Sequence, residues 1–308
     1  MKASTAIIGL GKIGLTYDLD KFGVAVPNKI MTHCRAVSTS DFFKISYLID
    51  PRIEAVRLAV HHYGGIGFQS ITEAAGQEPP QLVIVSVPTP LHVEMLLSIT
   101  KEWSPRAYLM EKPFGSSAHE ARLMRDALER QGTKVYVNYL RRYLPNVISL
   151  KSSPSFKKRG RLLSVNISAY SSLENIFSHF LDLLIFLECP SILGISQKVN
   201  HSPEIGTIKF EDQESGILFE FGGIGHGQRV CEMLLVYDSA VVKMTSNGRY
   251  LEILDTQKGA ISIFNIDNST FDSYQAIILK RIATEFESPE MNTCVADAIR
   301  IHEFIESI

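Results

Sequence analysis

Thr5-Ala6-Ile7-Ile8-Gly9-Leu10-Gly11-Lys12-Ile13-Gly14 decides the first half of the fold. A short apolar run ending in glycine reads as a buried strand entering a tight turn. The GxGxxG spacing then gives each glycine a task. Gly9 permits the turn, Gly11 lets backbone approach a pyrophosphate, and Gly14 allows close packing of the next element against the strand. Gly9, Gly11, Lys12, Ile13 and Gly14 are therefore the candidate dinucleotide-binding loop. A tight turn without a ligand is the plainer reading of the same glycines.

Outward from this loop, strands alternate with helices. Lys44–Ile49, Leu82–Val87, Ala107–Met110 and Lys134–Val137 read as apolar strands, and Glu54–His62, Leu91–Lys101 and Ser116–Gln131 as helices. The last helix carries its own punctuation: Ser117 as cap, Glu120 three residues on, and Gly132 at the end. Strands that are apolar throughout imply a parallel sheet covered on both faces. Near Asn138 the pattern changes. Leu162–Ala169 alternates with period two and Phe177–Leu187 is a strongly apolar helix. Strand-like runs then extend from Gly194 to Ile266, with Asn247-Gly248 as a hairpin turn. Phe271–Phe286 and Cys294–Ile308 close as helices. The expected fold is α/β: a doubly wound parallel Rossmann sheet over residues 1–138, then a domain over residues 139–308. That second domain is α+β, with a large, mainly antiparallel open sheet.

Composition narrows the function. At 308 residues, 45% hydrophobic and 21% charged, the chain suits two soluble domains with sizeable cores. A net charge of −2 gives no reason to expect nucleic acid or an anionic membrane as partner. Four scattered cysteines without a CxxC fit a reducing compartment and argue against a disulfide framework or a zinc site. No run of 18 apolar residues occurs, so a cytoplasmic protein is expected. His61-His62, His226 and His302 lack metal-ligand spacing, and no metal is assigned.

An acidic residue normally comes about 20 residues after the glycine fingerprint, at the end of the second strand. The candidate here is Asp50, and 50 − 14 = 36. The excess lies in Leu15–Lys29, an insertion ahead of a first helix expected over Ile30–Ser38. A short helical turn after Gly14 is left to receive the phosphate. Asp50 would accept hydrogen bonds from ribose hydroxyls and repel a 2′-phosphate, which favours NAD. Arg52 would partly offset that repulsion and keeps NADP open. Asp50 also reads as a capping residue before Pro51.

Glu111-Lys112-Pro113 comes directly after the strand Ala107–Met110. A lysine at a strand end of a dinucleotide fold stands where hydride transfer needs a proton donor or acceptor. Partial burial beside a nicotinamide cation would lower its pKa toward neutrality. The proline permits a cis peptide, which would fix how the lysine enters the site.

Taken in order, these motifs resemble the glucose–fructose oxidoreductase/inositol dehydrogenase family (Gfo/Idh/MocA). The resemblance rests on Gly9–Gly14, Pro88-Thr89-Pro90-Leu91-His92, Glu111-Lys112-Pro113, Tyr139-Leu140-Arg141-Arg142-Tyr143-Leu144-Pro145, His179-Phe180-Leu181-Asp182 and the helix near Asp297. It covers nearly the whole chain. It implies sugars, cyclitols or their derivatives as substrates, and an open sheet that forms a homodimer or homotetramer interface.

Within this frame Lys112 is the first catalytic candidate. His179 is a second acid/base or a substrate ligand. Asp182, one turn later, would orient or pair with Lys112. Pro88, Thr89 and His92 are expected to line the cofactor cleft, with Glu111 beside them. Asn138, Tyr139 and Arg141 are expected to bind substrate, Arg141 through a phosphate or carboxylate. Arg142 reads as a domain-locking ion pair. Family members often carry Gly-Gly and an aspartate four residues before the histidine. This chain has Asn175 there, in a short loop between Ala169 and Ser178, and asparagine cannot act as a base.

The leading expectation is therefore an NAD(P)-dependent oxidoreductase of a sugar-like alcohol or ketone. An imine or enone reductase of the same fold is one alternative. It predicts an aromatic-lined pocket. A cofactor-binding sensor or scaffold with a decayed site is the other. It predicts that Lys112 is dispensable while the glycines are not.

Overall fold

The computed structural model describes residues 1–19, 26–27, 29–169, 178–188, 200–202, 207–212, 217–223, 231–288 and 294–307. The chain divides into two units. The first holds Met1–Leu140 with Asp272–Glu303, and the second holds Arg141–Phe271 with the last residues from Phe304.

In the first unit the elements run β1 (Ala3–Ile8), α1 (His33–Ser38), β2 (Phe43–Ile49), α2 (Ile53–Tyr63), β3 (Ile66–Phe68) and α3 (Ile71–Ala74). They continue with β4 (Leu82–Val85), α4 (His92–Glu102), β5 (Ala107–Met110), α5 (Ala118–Gln131) and β6 (Lys134–Val137). The six strands pair in the order β3-β2-β1-β4-β5-β6, all parallel. This is the doubly wound Rossmann order, with its switch point between β1 and β4. Every residue of β4 and β5 is buried, which is why those strands read as unbroken apolar runs. Ser117 caps α5 by accepting from the Glu120 N–H, and Gly132 ends it in the left-handed region.

The second unit contains α6 (Pro145–Ser152), α7 (Pro154–Lys157), β7 (Leu162–Ala169), α8 (Ser178–Phe186), β8 (Asn200–Ser202), β9 (Thr207–Asp212) and β10 (Ile217–Gly223). After these come β11 (Glu232–Tyr237), β12 (Ala240–Thr245), β13 (Tyr250–Asp255), β14 (Ala260–Asn265) and α9 (Asn268–Phe271). The sheet order is β14-β13-β12-β11-β7-β10-β9-β8. Only the β7–β10 pairing among these is parallel. Alternation sorts β11, β12 and β13 into two faces. Met233, Leu235, Val242, Met244, Leu251 and Ile253 are buried, while Leu234, Tyr250, Ile261 and Ile263 are exposed on described strands. The Asn247-Gly248 turn holds both residues at positive φ, as this dipeptide favours.

The closing helices depart from the division expected at residues 138 and 139. The expected helix Phe271–Phe286 is broken into α9 and α10 (Tyr274–Glu285), and α10 belongs to the first unit together with most of α11 (Cys294–Ser307). The reason is local packing. Phe286 meets Phe43 edge-on with centroids 5.5 Å apart, and Arg106 pairs with Glu287. Lys134 Nζ donates to the Glu285 and Ser288 carbonyls. Ile278, Leu279 and Ile282 supply the buried face of α10.

Candidate active site

The glycine loop has the shape its spacing implied. Gly9 sits at φ +92°, and a Cβ there would lie 2.7 Å from the Ser86 backbone. A Cβ on Gly14 would lie 2.1 Å from the Gly9 carbonyl oxygen, so that approach excludes any side chain. Gly11 is different, because a Cβ there would meet nothing within 4 Å. Packing therefore demands the outer two glycines, and open space lies beside the middle one. That is the form a backbone cradle for a pyrophosphate takes. Ser86 Oγ donates to the Gly9 carbonyl at 2.7 Å and to Ile8 at 3.1 Å, fixing the turn from the end of β4.

Lys12–Thr16 form a single π-helical turn with the Lys12 side chain exposed. The chain then leaves the turn, and α1 begins only at His33. Asp18, fully buried, accepts hydrogen bonds from Met31 N, Thr32 N and Thr32 Oγ1 at 2.8, 2.8 and 2.6 Å. The positive end of α1 thus already faces a carboxylate of the chain itself. The turn after Gly11 keeps its first N–H groups without an intrahelical partner, as a phosphate site requires. These residues fit a dinucleotide.

Asp50 stands at the end of β2, as expected, but its carboxylate is heavily engaged. Oδ2 accepts from the Leu10 N–H at 2.7 Å and from Arg52 Nη2 at 2.8 Å. Oδ1 accepts from Arg52 N at 2.9 Å and from Arg52 Nε at 2.8 Å. Burial works to raise the Asp50 pKa, but the Arg52 and Leu10 hydrogen bonds outweigh it and hold the group below the usual carboxylate range.

Glu111 directly follows β5, and the Lys112–Pro113 peptide bond is cis. Glu111 Oε1 accepts from His33 Nε2 at 2.8 Å and from Asn138 Nδ2 at 2.5 Å. An ionised carboxylate can only accept, so this contact places a proton on His33 Nε2. Burial opposes the charge, yet the His33 and Asn138 bonds and the neighbouring Lys112 charge lower the Glu111 pKa overall. Sequence reasoning missed His33. Its one signal was that it opens the helix after the insertion, and its partner lies 78 residues away. Lys112 is half-buried next to this cluster in the chain.

His92 is fully buried, and its two ring nitrogens face backbone carbonyls: Nδ1 lies 3.1 Å from Phe114 O and Nε2 3.0 Å from Val87 O. The ring staples the loop after β4 to the loop after Pro113, which differs from lining a cleft. Pro88 and Thr89 lead into α4 through a short 3-10 turn. Tyr139 is buried beside Asn138 in sequence.

In the second unit, His179 and Asp182 lie in the first turns of α8, with side chains almost or wholly buried. Both Asp182 oxygens accept from Arg142, Oδ2 from Nε at 2.9 Å and Oδ1 from Nη2. Asp182 is thus held in a fork with Arg142, the residue expected to form an ion pair. Arg141 is buried with its guanidinium 4.6 Å from the Phe180 ring centroid. Asn175 and the short loop around it lie outside the described residues. Among the described residues no cluster of three or more His, Cys, Asp or Glu side chains could hold a metal, and no helix is long and apolar enough to cross a membrane.

Residues 3–139 match the family model described as the GFO/IDH/MocA oxidoreductase family, NAD-binding Rossmann fold. Over residues 3–139, its dinucleotide-fold part, the chain is similar to the Gfo/Idh/MocA oxidoreductase family. The rhizopine catabolism protein MocA of Rhizobium meliloti is 29% identical over 119 residues, 39% of this chain and 37% of that protein. Glucose-6-phosphate 3-dehydrogenase of Bacillus subtilis strain 168 is 27% identical over 135 residues, 44% of this chain and 37% of the enzyme. The match therefore spans little more than a third of either relative. The WlbA dehydrogenase from Bordetella pertussis, crystallised with NADH and UDP-GlcNAcA, superposes with a TM-score of 0.74. That likeness covers 100% of this chain and 94% of WlbA at 13% identity, and it establishes the shared fold.

Proposed function

We propose that this chain is a member of the Gfo/Idh/MocA family and an NAD(P)-dependent dehydrogenase or reductase acting on a CH–OH or ketone group of a sugar-like substrate: a cyclitol, a sugar phosphate or a nucleotide sugar. The observation that carries the reading is the glycine cradle, open at Gly11, at one end of the sheet whose fifth strand is followed by Glu111-Lys112. Ligands of doubly wound sheets bind outside the carboxyl ends of the strands, and Gly9, Asp50, Ser86 and Glu111 all stand just past such ends. Glucose-6-phosphate 3-dehydrogenase and the WlbA dehydrogenase crystallised with UDP-GlcNAcA support a carbohydrate carrying an anionic group.

A bound nicotinamide ring supplies the hydride acceptor or donor. Lys112, with its amine unprotonated, removes the hydroxyl proton as the hydride leaves the same carbon, and returns it in the reverse direction. His33 and Asn138 hold Glu111 by two hydrogen bonds, and Glu111 in turn fixes the backbone from which Lys112 projects. His179 is the second acid/base or substrate ligand. Asp182 acts through Arg142, as a positioning residue. Homo-oligomerisation through the outer face of the second sheet is supported by its exposed Leu234, Tyr250, Ile261 and Ile263.

The test is nicotinamide absorbance during incubation of the purified protein with a panel of cyclitols, sugar phosphates and nucleotide sugars, with both cofactors and in both directions. Turnover of one class is the expected result. A folded protein that binds nucleotide and turns over none would favour the sensor reading.

A further inference from the structure

The residue that ordinarily reads the adenosine ribose is Asp50, and in this structure its carboxylate is full. A carboxylate offers about four acceptor positions. Arg52 N and Nε take two on Oδ1, and Leu10 N and Arg52 Nη2 take two on Oδ2. The side chain of Asp50 is 5% exposed, whereas that of Arg52 is 61% exposed. The second Nη2 proton goes to the Leu10 carbonyl at 3.2 Å. Among the described residues no hydrogen bond engages Nη1. The end of β2 therefore presents solvent with a guanidinium edge whose two outer donors are available, backed by a carboxylate whose charge it neutralises.

This geometry reverses the expectation drawn from Asp50 as a sequence letter. Ribose hydroxyls could reach Asp50 only by displacing bonds to Arg52. A 2′-phosphate would meet the two open Nη1 donors of an exposed guanidinium whose plane Asp50 already fixes. We propose that Arg52 is the specificity-determining residue of the nucleotide site and that it selects NADP(H), with Asp50 positioning Arg52 instead of binding ribose. The proposal rests on the reading of the glycine loop as a dinucleotide site.

The experiment is a fluorescence titration of the whole chain with NADH and with NADPH, in wild type, Arg52→Ala and Arg52→Lys, with a thermal melt of each. Arg52 is exposed but pairs with the buried Asp50 carboxylate, so Arg52→Ala is expected to lower the melting midpoint while staying folded at the titration temperature, and Arg52→Lys, which keeps the charge, to lower it less. Wild type should bind NADPH at least as tightly as NADH. Arg52→Ala should weaken NADPH at least tenfold and leave NADH equal or tighter, because Asp50 is released to the ribose. Arg52→Lys keeps the charge but loses the fixed plane of donors, and should fall between the two. NADH bound at least tenfold more tightly than NADPH in wild type, with the ratio unmoved in Arg52→Ala, would overturn the inference and leave the dinucleotide reading standing. Binding of neither nucleotide by a protein with an intact melt would overturn both, so the two failures are distinguishable.

Discussion

Asp182 gives the sharpest prediction, because catalysis and support demand opposite results from the same variant. Its side chain is 0% exposed and that of Arg142 is 7% exposed, and the pair is joined by two charge-assisted hydrogen bonds. Asp182→Asn keeps the shape but removes the negative half of this buried pair. Breaking one partner of a buried pair costs about 3–5 kcal/mol. For a unit of this size each kcal/mol lowers the melting midpoint by about 3 °C, so a fall of roughly 10–15 °C is expected. Calorimetry or near-UV circular dichroism reads it. The pair removed together, as Arg142→Met with Asp182→Leu, should be less damaging than Asp182→Asn alone, since neither half of the pair is left behind. If Asp182→Asn melts within about 2 °C of wild type while turnover collapses, the support argument is refuted and Asp182 belongs to the chemistry.

The site carries three further predictions. Gly11→Ala should melt like wild type, since its Cβ meets nothing within 4 Å, yet weaken nucleotide binding; unchanged binding would show that no ligand enters the cradle. Gly14→Ala must move backbone by way of the 2.1 Å approach to the Gly9 oxygen. It should cost about 1–3 kcal/mol of stability, read as a shifted urea midpoint, and an unshifted midpoint would contradict the packing. Glu111 has a folded pKa below its ordinary 4.5, so its stabilising contribution is complete above that value and lost as pH falls through the folded pKa. Glu111→Gln should therefore flatten the acid limb of a melting-temperature profile below about pH 4.5, and an acid limb identical to wild type would count against a buried charged Glu111.

What the sequence conveyed was local. Ala107–Met110, Lys134–Val137 and Leu162–Ala169 are strands with the bounds their apolar patterns implied, and Ser117, Glu120 and Gly132 punctuate α5 as read. These signals lie within a few residues of one another. β3 and α3 escaped notice because three or four residues show no periodicity. The insertion put the start of α1 at His33, beyond the expected Ile30, since Thr32 caps it and Asp18, 14 residues upstream, holds Thr32 in place. His33 with Glu111, and Arg142 with Asp182, are partners set by packing across 78 and 40 residues, and no spacing rule announces them. Asp50 was legible as a residue at a strand end, but its saturation by Arg52 depends on side-chain geometry. The return of α10 to the first unit depends on Phe286 finding Phe43, a pairing that composition does not reveal.

Lys112→Ala, measured for nucleotide affinity and for turnover in the same preparation, tests the central claim most directly. The account predicts binding of the preferred dinucleotide within about twofold of wild type and turnover of the sugar-like substrate reduced about 10²–10⁴-fold, the loss of a general acid/base. Turnover equal to wild type, with its pH dependence intact, would contradict it.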